Sequence, residues 1–276
     1  MKIWVLLPLL LLAACSNKNT GPSSVAQGES IINGQTADKD SDIVKATVAL
    51  VMVEADRTRS FCTGTLVSKD IIVTAAHCVE PIMSGYQVQV SFGSETFASK
   101  NDGELREIDR FYTYEMVYPS LGNPDAVRTI NDLKDVAVIK LLTTAPKWAV
   151  PAVILGSEAS LSVGQEVTVA GFGRLQEDQA AMSKYLQITR LNIQTLGSKR
   201  IELDQTKGSG ACWGDSGGPA LLKTDSGLVV IGALSGATYG SQDCHSGTVY
   251  TSLAGYKDFI QKVVSVMGGE APVFTE

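Results

Sequence analysis

Gly214-Asp215-Ser216-Gly217-Gly218-Pro219 sets one serine among three glycines, on backbone free to take dihedrals that turn both its amide and its hydroxyl toward a ligand. A serine hydroxyl is a weak nucleophile near neutral pH and needs an imidazole to accept its proton. The chain has only two histidines. One of them, His77, lies in Val73-Thr74-Ala75-Ala76-His77-Cys78, behind an apolar run that starts at Ile71. Such an imidazole needs a carboxylate to fix its tautomer. Asp135 opens Val136-Ala137-Val138-Ile139-Lys140-Leu141, a run that reads as a mostly buried strand. Taken alone, the glycine-flanked serine also suits a tight surface turn, and Asp135 a solvated loop residue.

Together, Thr74 to Cys78, Asp135 with its strand, and Gly214 to Pro219 resemble the three motifs of trypsin-like (chymotrypsin-fold) serine peptidases, in that family's order. The resemblance covers roughly residues 31 to 265. It implies a serine endopeptidase acting on proteins or peptides through an acyl-enzyme. Ser216 would attack, His77 would act as base and acid, and Asp135 would orient the imidazole. The amides of Gly214 and Ser216 would form the oxyanion hole. No cofactor or metal is implied. A catalytically silent binding protein of the same fold, held as a zymogen, is the alternative. The complete set of three groups speaks for the enzyme.

Positioning such groups is the task of the surrounding elements. The chain has 276 residues, 44% hydrophobic and 19% charged, enough for a substantial core. Short runs such as Val48 to Val53 and Glu166 to Ala170 alternate with turn clusters such as Ser91 to Ser94 and Thr224 to Gly227. Many short strands at even spacing argue for an all-β sandwich or barrels. The resemblance specifies two packed six-stranded antiparallel β-barrels with the site between them and a C-terminal helix. The barrels would cover about 31–150 and 151–276, dividing near Lys147 to Pro151. Leu253, Tyr256, Phe259, Ile260, Val263, Val264 and Met267 recur at helical spacing and predict a helix docked on a barrel. Phe111, Tyr112, Tyr114 and Tyr118 are expected in interbarrel packing.

Lys2 and the apolar run Ile3 to Ala14, broken by Pro8, read as a signal peptide over residues 1–14, too short to span a bilayer. Leu12-Ala13-Ala14-Cys15 resembles the lipobox of bacterial lipoproteins. That implies lipid on Cys15, a tether over 15–30, and an outer-membrane or cell-surface location. Setting Cys15 aside leaves Cys62, Cys78, Cys212 and Cys244, whose three possible pairings the sequence does not rank. The family resemblance implies Cys62 with Cys78 and Cys212 with Cys244. Disulfides require an oxidising compartment, as an exported protein meets. The spacing lacks a paired Cys-x-x-Cys element, which argues against a metal site.

Ile31-Ile32-Asn33-Gly34 looks like the family's mature N-terminus, whose freed ammonium would pair with Asp215. Ser30 precedes it, so a trypsin-like activator would not cut there: either another protease does, or this chain works, or stays silent, without the cut. The cut would also free the catalytic domain from a lipid on Cys15, making it extracellular. By the same resemblance Gly210, followed by Ala211, lies at the base of the specificity pocket, where a trypsin would carry an aspartate. Ser235, Gly236, Ala237 and Thr248 would complete the pocket, which favours a small or apolar side chain before the scissile bond. Ser235 would also donate to Asp135. His245 reads as an exposed loop residue. A monomer is expected, and the net charge of −6 argues against nucleic-acid binding.

Overall fold

The computed structural model describes residues 31–53, 58–96, 104–119, 134–225, 227–238, 241 and 243–276. The expected signal peptide (1–14), Cys15 and the expected tether (15–30) lie outside the described residues. After β1 (Gln35–Thr36) and α1 (Asp42–Ala46) come β2 (Thr47–Val53), β3 (Thr58–Leu66), β4 (Ile71–Thr74), α2 (Glu80–Met83), β5 (Val88–Phe92), β6 (Leu105–Thr113), α3 (Tyr114–Val117) and β7 (Ala137–Leu141). Strands β2 to β7 pair antiparallel in the order β2-β3-β4-β7-β6-β5, and β5 returns to β2. The barrel is closed, which leaves it no unpaired edge.

The second half holds β8 (Val153–Ile154), β9 (Glu166–Gly171), β10 (Gln187–Gly197), β11 (Arg200–Asp204), β12 (Pro219–Thr224), β13 (Gly227–Ala237), β14 (Gly247–Ser252) and α4 (Lys257–Met267). Here the ring runs β9-β10-β11-β14-β13-β12 and back to β9. Two short strands are appended, β1 on β10 and β8 in parallel on β13. The fold is therefore two six-stranded antiparallel barrels with a C-terminal helix.

Near-continuous burial along β2, β4 and β7 explains their mostly apolar runs. One face of these strands fills the first barrel with Val48, Leu50, Ile72, Ile139 and Leu141. The opposite face meets the second barrel: Ala49 and Val51 join Ala170, Phe172 and Leu186. Leu191, Ile193, Leu203, Ile231 and Tyr250 fill the second barrel. A strand buried on both faces cannot alternate polar with apolar residues.

The last helix fulfils its spacing. Phe259, Ile260, Val263, Val264 and Met267 are buried against Ile71, Val73 and Val138 of the first barrel and Val230 and Ala233 of the second. Each such side chain contributes about 1.5–3 kcal/mol on burial. The helices α1, α2 and α3, of five, four and four residues, are additions to the single helix legible in the sequence. The aromatic group divides. Phe111 packs on the first barrel's core, while Tyr112 and Tyr114 pack on the shared cluster. Tyr114 meets Tyr256 and Phe259 edge to face at 4.9 and 5.5 Å. Tyr118 stacks on Tyr114 but remains 38% exposed. No helix among the described residues is long and apolar enough to cross a membrane.

Candidate active site

Strand β4 runs straight into a one-turn 3-10 helix, Ala76–Val79, which carries His77. The Cys62–Cys78 disulfide staples that turn to β3. Asp135 lies just before β7, which pairs with β4, so two neighbouring strands deliver the imidazole and the carboxylate to one end of the barrel. Asp135 Oδ2 lies 2.9 Å from His77 Nδ1, and Oδ1 accepts from the His77 backbone N–H at 3.0 Å. Ser235 Oγ donates to Oδ2 at 2.6 Å from the second barrel. Thr251 Oγ1 donates to the Asp135 carbonyl at 2.9 Å.

Ser235 reaches Asp135 because the β13–β14 ladder slips register between Leu234 and Gly236. An irregularity of this kind re-aims a side chain that regular pairing would hold to the sheet face. Burial works against charge on both partners of the His77–Asp135 pair, yet their hydrogen bond and attraction outweigh it. His77 is held above its ordinary value and Asp135 below. With Asp135 accepting at Nδ1, the Nε2 of a neutral His77 is left as the basic nitrogen.

Ser216 sits on a tight turn at the junction of the barrels. Thr63 N–H donates to Ser216 O at 2.8 Å, and Cys78 Sγ lies 3.5 Å from the same oxygen. Thr63 Oγ1 donates to Gly214 O at 3.1 Å, and Thr74 Oγ1 to Thr63 O at 2.8 Å. Gly217 N–H donates to Leu234 O at 2.7 Å. Gly214 and Gly217 have φ of 95° and 78°, and a Cβ on Gly217 would lie 2.0 Å from Thr74 Oγ1. Both conformation and space therefore require glycine there. Thr63 was not legible as a site residue, since a threonine in a strand carries no such signal; Thr74 was legible only as the first residue of the His77 motif.

Asp215 points the other way, into the second barrel. Its carboxylate accepts from Gly173 N–H and Cys212 N–H, both at 2.8 Å. Burial pushes its pKa up to about 7 despite those bonds. Among the described residues no cation pairs with it. Ile31 is fully buried among Leu155, Val167 and Leu191, with a φ of 49°. Ile32 pairs with Gly210 through a backbone bridge.

Beside Ser216 opens a cavity of about 370 Å³. Ala211, Trp213, Gly236, Ala237 and Thr248 are among its walls, and the Cys212–Cys244 disulfide joins two of its sides. Thr248 Oγ1 donates to Gly236 O at 3.0 Å. Two expected members lie elsewhere. Ser235 is drawn to Asp135, and Gly210 is covered by the side chain of Gln205, which is itself among the lining residues. A larger cavity of about 840 Å³ opens near Asp42, Arg190 and Lys223. None of the three reactive groups lines it.

His245 is exposed, and its Nε2 lies 3.1 Å from a Glu177 carboxylate oxygen, a pairing that sequence did not reveal. Arg174 of the same loop stacks over Trp213 at 5.1 Å. His77, Cys62 and Cys78 come within metal-ligating distance of one another. Both sulfurs are joined in the disulfide, however, and offer no thiolate.

A family model described as Trypsin matches residues 31–260. Chymotrypsin-2 of Vespa crabro is 30% identical over 215 residues, 74% of this chain and 89% of that protein. Granzyme H of Homo sapiens is 28% identical over 271 residues, covering 93% and 97% of the two chains. Phenoloxidase-activating enzyme 1 of Spodoptera litura is 29% identical over 223 residues, 74% of this chain but only 59% of that protein.

Proposed function

Because the chain belongs to the trypsin family, we propose that it is an exported serine endopeptidase working through Ser216, His77 and Asp135. Ser216 Oγ attacks the scissile carbonyl as His77 Nε2 takes its proton. The amides of Gly214 and Ser216 receive the developing oxyanion. Collapse of the tetrahedral adduct passes the proton from His77 to the leaving amine and leaves an acyl-enzyme. Water, deprotonated by His77, attacks the ester and regenerates Ser216. The observation that carries this reading is the Asp135 carboxylate, which binds His77 twice and Ser235 once. That leaves the imidazole one tautomer and one orientation.

The proposal extends to activation. Ile31 has a positive φ, which costs a β-branched residue about 1–3 kcal/mol. That torsion is defined by the bond from Ser30, so cutting the bond removes the constraint. The freed ammonium would pair with Asp215 and hold the Cys212–Ser216 turn. The uncut chain, with Asp215 lacking a cation among the described residues, would be the silent zymogen. Lipid on Cys15 would anchor the zymogen and the cut would release the enzyme.

A fluorophosphonate probe tests this reading on the purified chain, before and after trimming to Ile31. Labelling after trimming is expected, and none in Ser216→Ala. Absence of labelling in both states would favour a binding protein. Palmitate incorporation, lost in Cys15→Ser, tests the anchor. N-terminal sequencing tests the cut, and an active form starting at Cys15 would refute it.

A further inference from the structure

Gly210 lies behind Gln205 and does not itself line the cavity beside Ser216; its lack of a side chain leaves room for that residue. A Cβ built on Gly210 would lie 2.3 Å from Cδ, 2.5 Å from Nε2 and 2.7 Å from Cγ of Gln205. The carboxamide of Gln205 therefore fills the volume that a side chain at 210 would occupy. It is 1% exposed and forms part of the cavity lining.

A local turn aims it there. Gln205 follows β11 directly, and Thr206 N–H and Oγ1 both donate to Asp204 Oδ1, at 2.9 and 2.6 Å. Gly208 N–H then donates to Gln205 O at 3.1 Å. The chain doubles back and the Gln205 side chain faces inward. Nε2 donates to Cys244 O at 2.9 Å and to Ala211 O at 3.3 Å, while Oε1 accepts from Ala211 N–H at 2.8 Å. Both amide protons are engaged, and a buried amide without its partners would be costly. Ala211 and Cys244 lie on the two sides that the Cys212–Cys244 disulfide also joins. Gln205 is a second, non-covalent tie across the same cavity.

We infer that Gln205 is the specificity-determining residue of this site: its saturated, neutral carboxamide forms the floor, so the cavity takes uncharged side chains short enough to stop above it. A carboxylate finds no free N–H at that floor, and an ammonium or guanidinium finds no counter-charge on the Gln205 carboxamide. Among the described residues the cavity has one charged lining group, Asp243. Its carboxylate is turned onto its own loop, accepting from His245 N–H, Ser246 N–H and Ser246 Oγ at 2.8, 2.7 and 2.9 Å. The inference rests on the peptidase reading and names the residue that sets its substrate class.

The test uses the trimmed chain and peptide substrates that differ only in the residue before the scissile bond. Rates are normalised to the fluorophosphonate-labelled fraction. Parent kcat/KM should favour alanine and leucine over arginine and glutamate by about 100-fold. Gly210→Asp alone should lose labelling, because its Cβ meets the carboxamide. Gly210→Asp combined with Gln205→Ala should recover labelling and move the preference to arginine and lysine by about 1,000-fold or more. Gln205→Ala alone should deepen the cavity and raise phenylalanine over alanine by about 10-fold, mainly through KM. That single variant decides the matter if the double variant does not fold.

Three results would overturn the inference. The first is cleavage after arginine, with full labelling, by Gly210→Asp alone. The second is an unchanged profile in Gln205→Ala. The third is parent cleavage after arginine that Asp243→Asn abolishes, which would assign specificity to Asp243. A parent that never labels would refute the peptidase reading itself, and this inference with it.

Discussion

Asp135 and Asp215 lie on opposite sides of the same serine turn, both largely withdrawn from water, and their environments drive them apart. Asp135 faces the first barrel, where an imidazole and a hydroxyl donate to it and keep it ionised. Asp215 faces the second barrel with, among the described residues, two amide donors, and burial raises it to about 7. The difference lies in the partner supplied. Hydrogen bonds from neutral amides reduce the cost of burying a carboxylate, but a titrating or charged partner is needed to reverse it. One acid has a titrating partner in the folded chain; for the other, the partner we propose is a new terminus at Ile31.

The sharpest way to break this comparison is at Asp135. Asp135→Asn would hold the wrong imidazole tautomer, and kcat should fall on the order of 10⁴-fold, the loss already established for the same change in this family's triad. Steady-state kinetics on the trimmed chain measures it. A loss under about tenfold would mean that the pair does not orient the base.

Next comes Asp215. Its folded pKa lies above its unfolded value, so in the uncut chain it favours folding most below about pH 4. That contribution declines as pH rises to about 7. The full span is on the order of 4 kcal/mol. Urea midpoints of the uncut parent should therefore fall across this window relative to Asp215→Asn, which lacks the titrating group. Trimming to Ile31 should abolish the slope in the parent. Parallel pH profiles in parent and variant would show that Asp215 does not titrate there.

Ser235→Ala removes one hydrogen bond from the Asp135 carboxylate and should lower kcat by about 10-fold, with KM little changed. The smallest effect is a displacement on the pH axis. Catalysis needs neutral His77, whose pKa is held above the ordinary 6.5. Activity should therefore rise with pH through a midpoint above 6.5, and Ser235→Ala should shift that midpoint. With one donor fewer, the Asp135 carboxylate carries more of its charge toward the imidazolium, so the shift should be upward. An unchanged midpoint would mean that Ser235 does not act through Asp135.

How much of this was readable before the structure depended on whether chemistry or packing chose the residue. Ser216, His77 and Asp135 stand out because few residue types can do their work and their neighbours are constrained by conformation. The helix α4 was readable from its buried spacing. Gln205 was not: a few residues from Gly210, it looks like any polar turn residue until the turn aims it inward. Nor was the slipped register at Ser235, which exists only in the pairing of β13 with β14. The Glu177–His245 pair joins loops far apart in sequence, and neither loop carries a periodic signal. The helices α1 to α3 span about one turn each, too little for a 3.6-residue period to register.

The docked α4 has one further consequence. Each barrel has its own interior, which would allow the two halves to melt separately. Yet the cluster under α4 draws Ile71, Val73 and Val138 from one half and Leu221, Val230 and Ala233 from the other into a third, common interior. Loosening either half uncovers it. Heat should therefore undo the molecule in one cooperative endotherm, and the last helix, far along the chain from the reacting groups, is the hinge pin of that cooperativity.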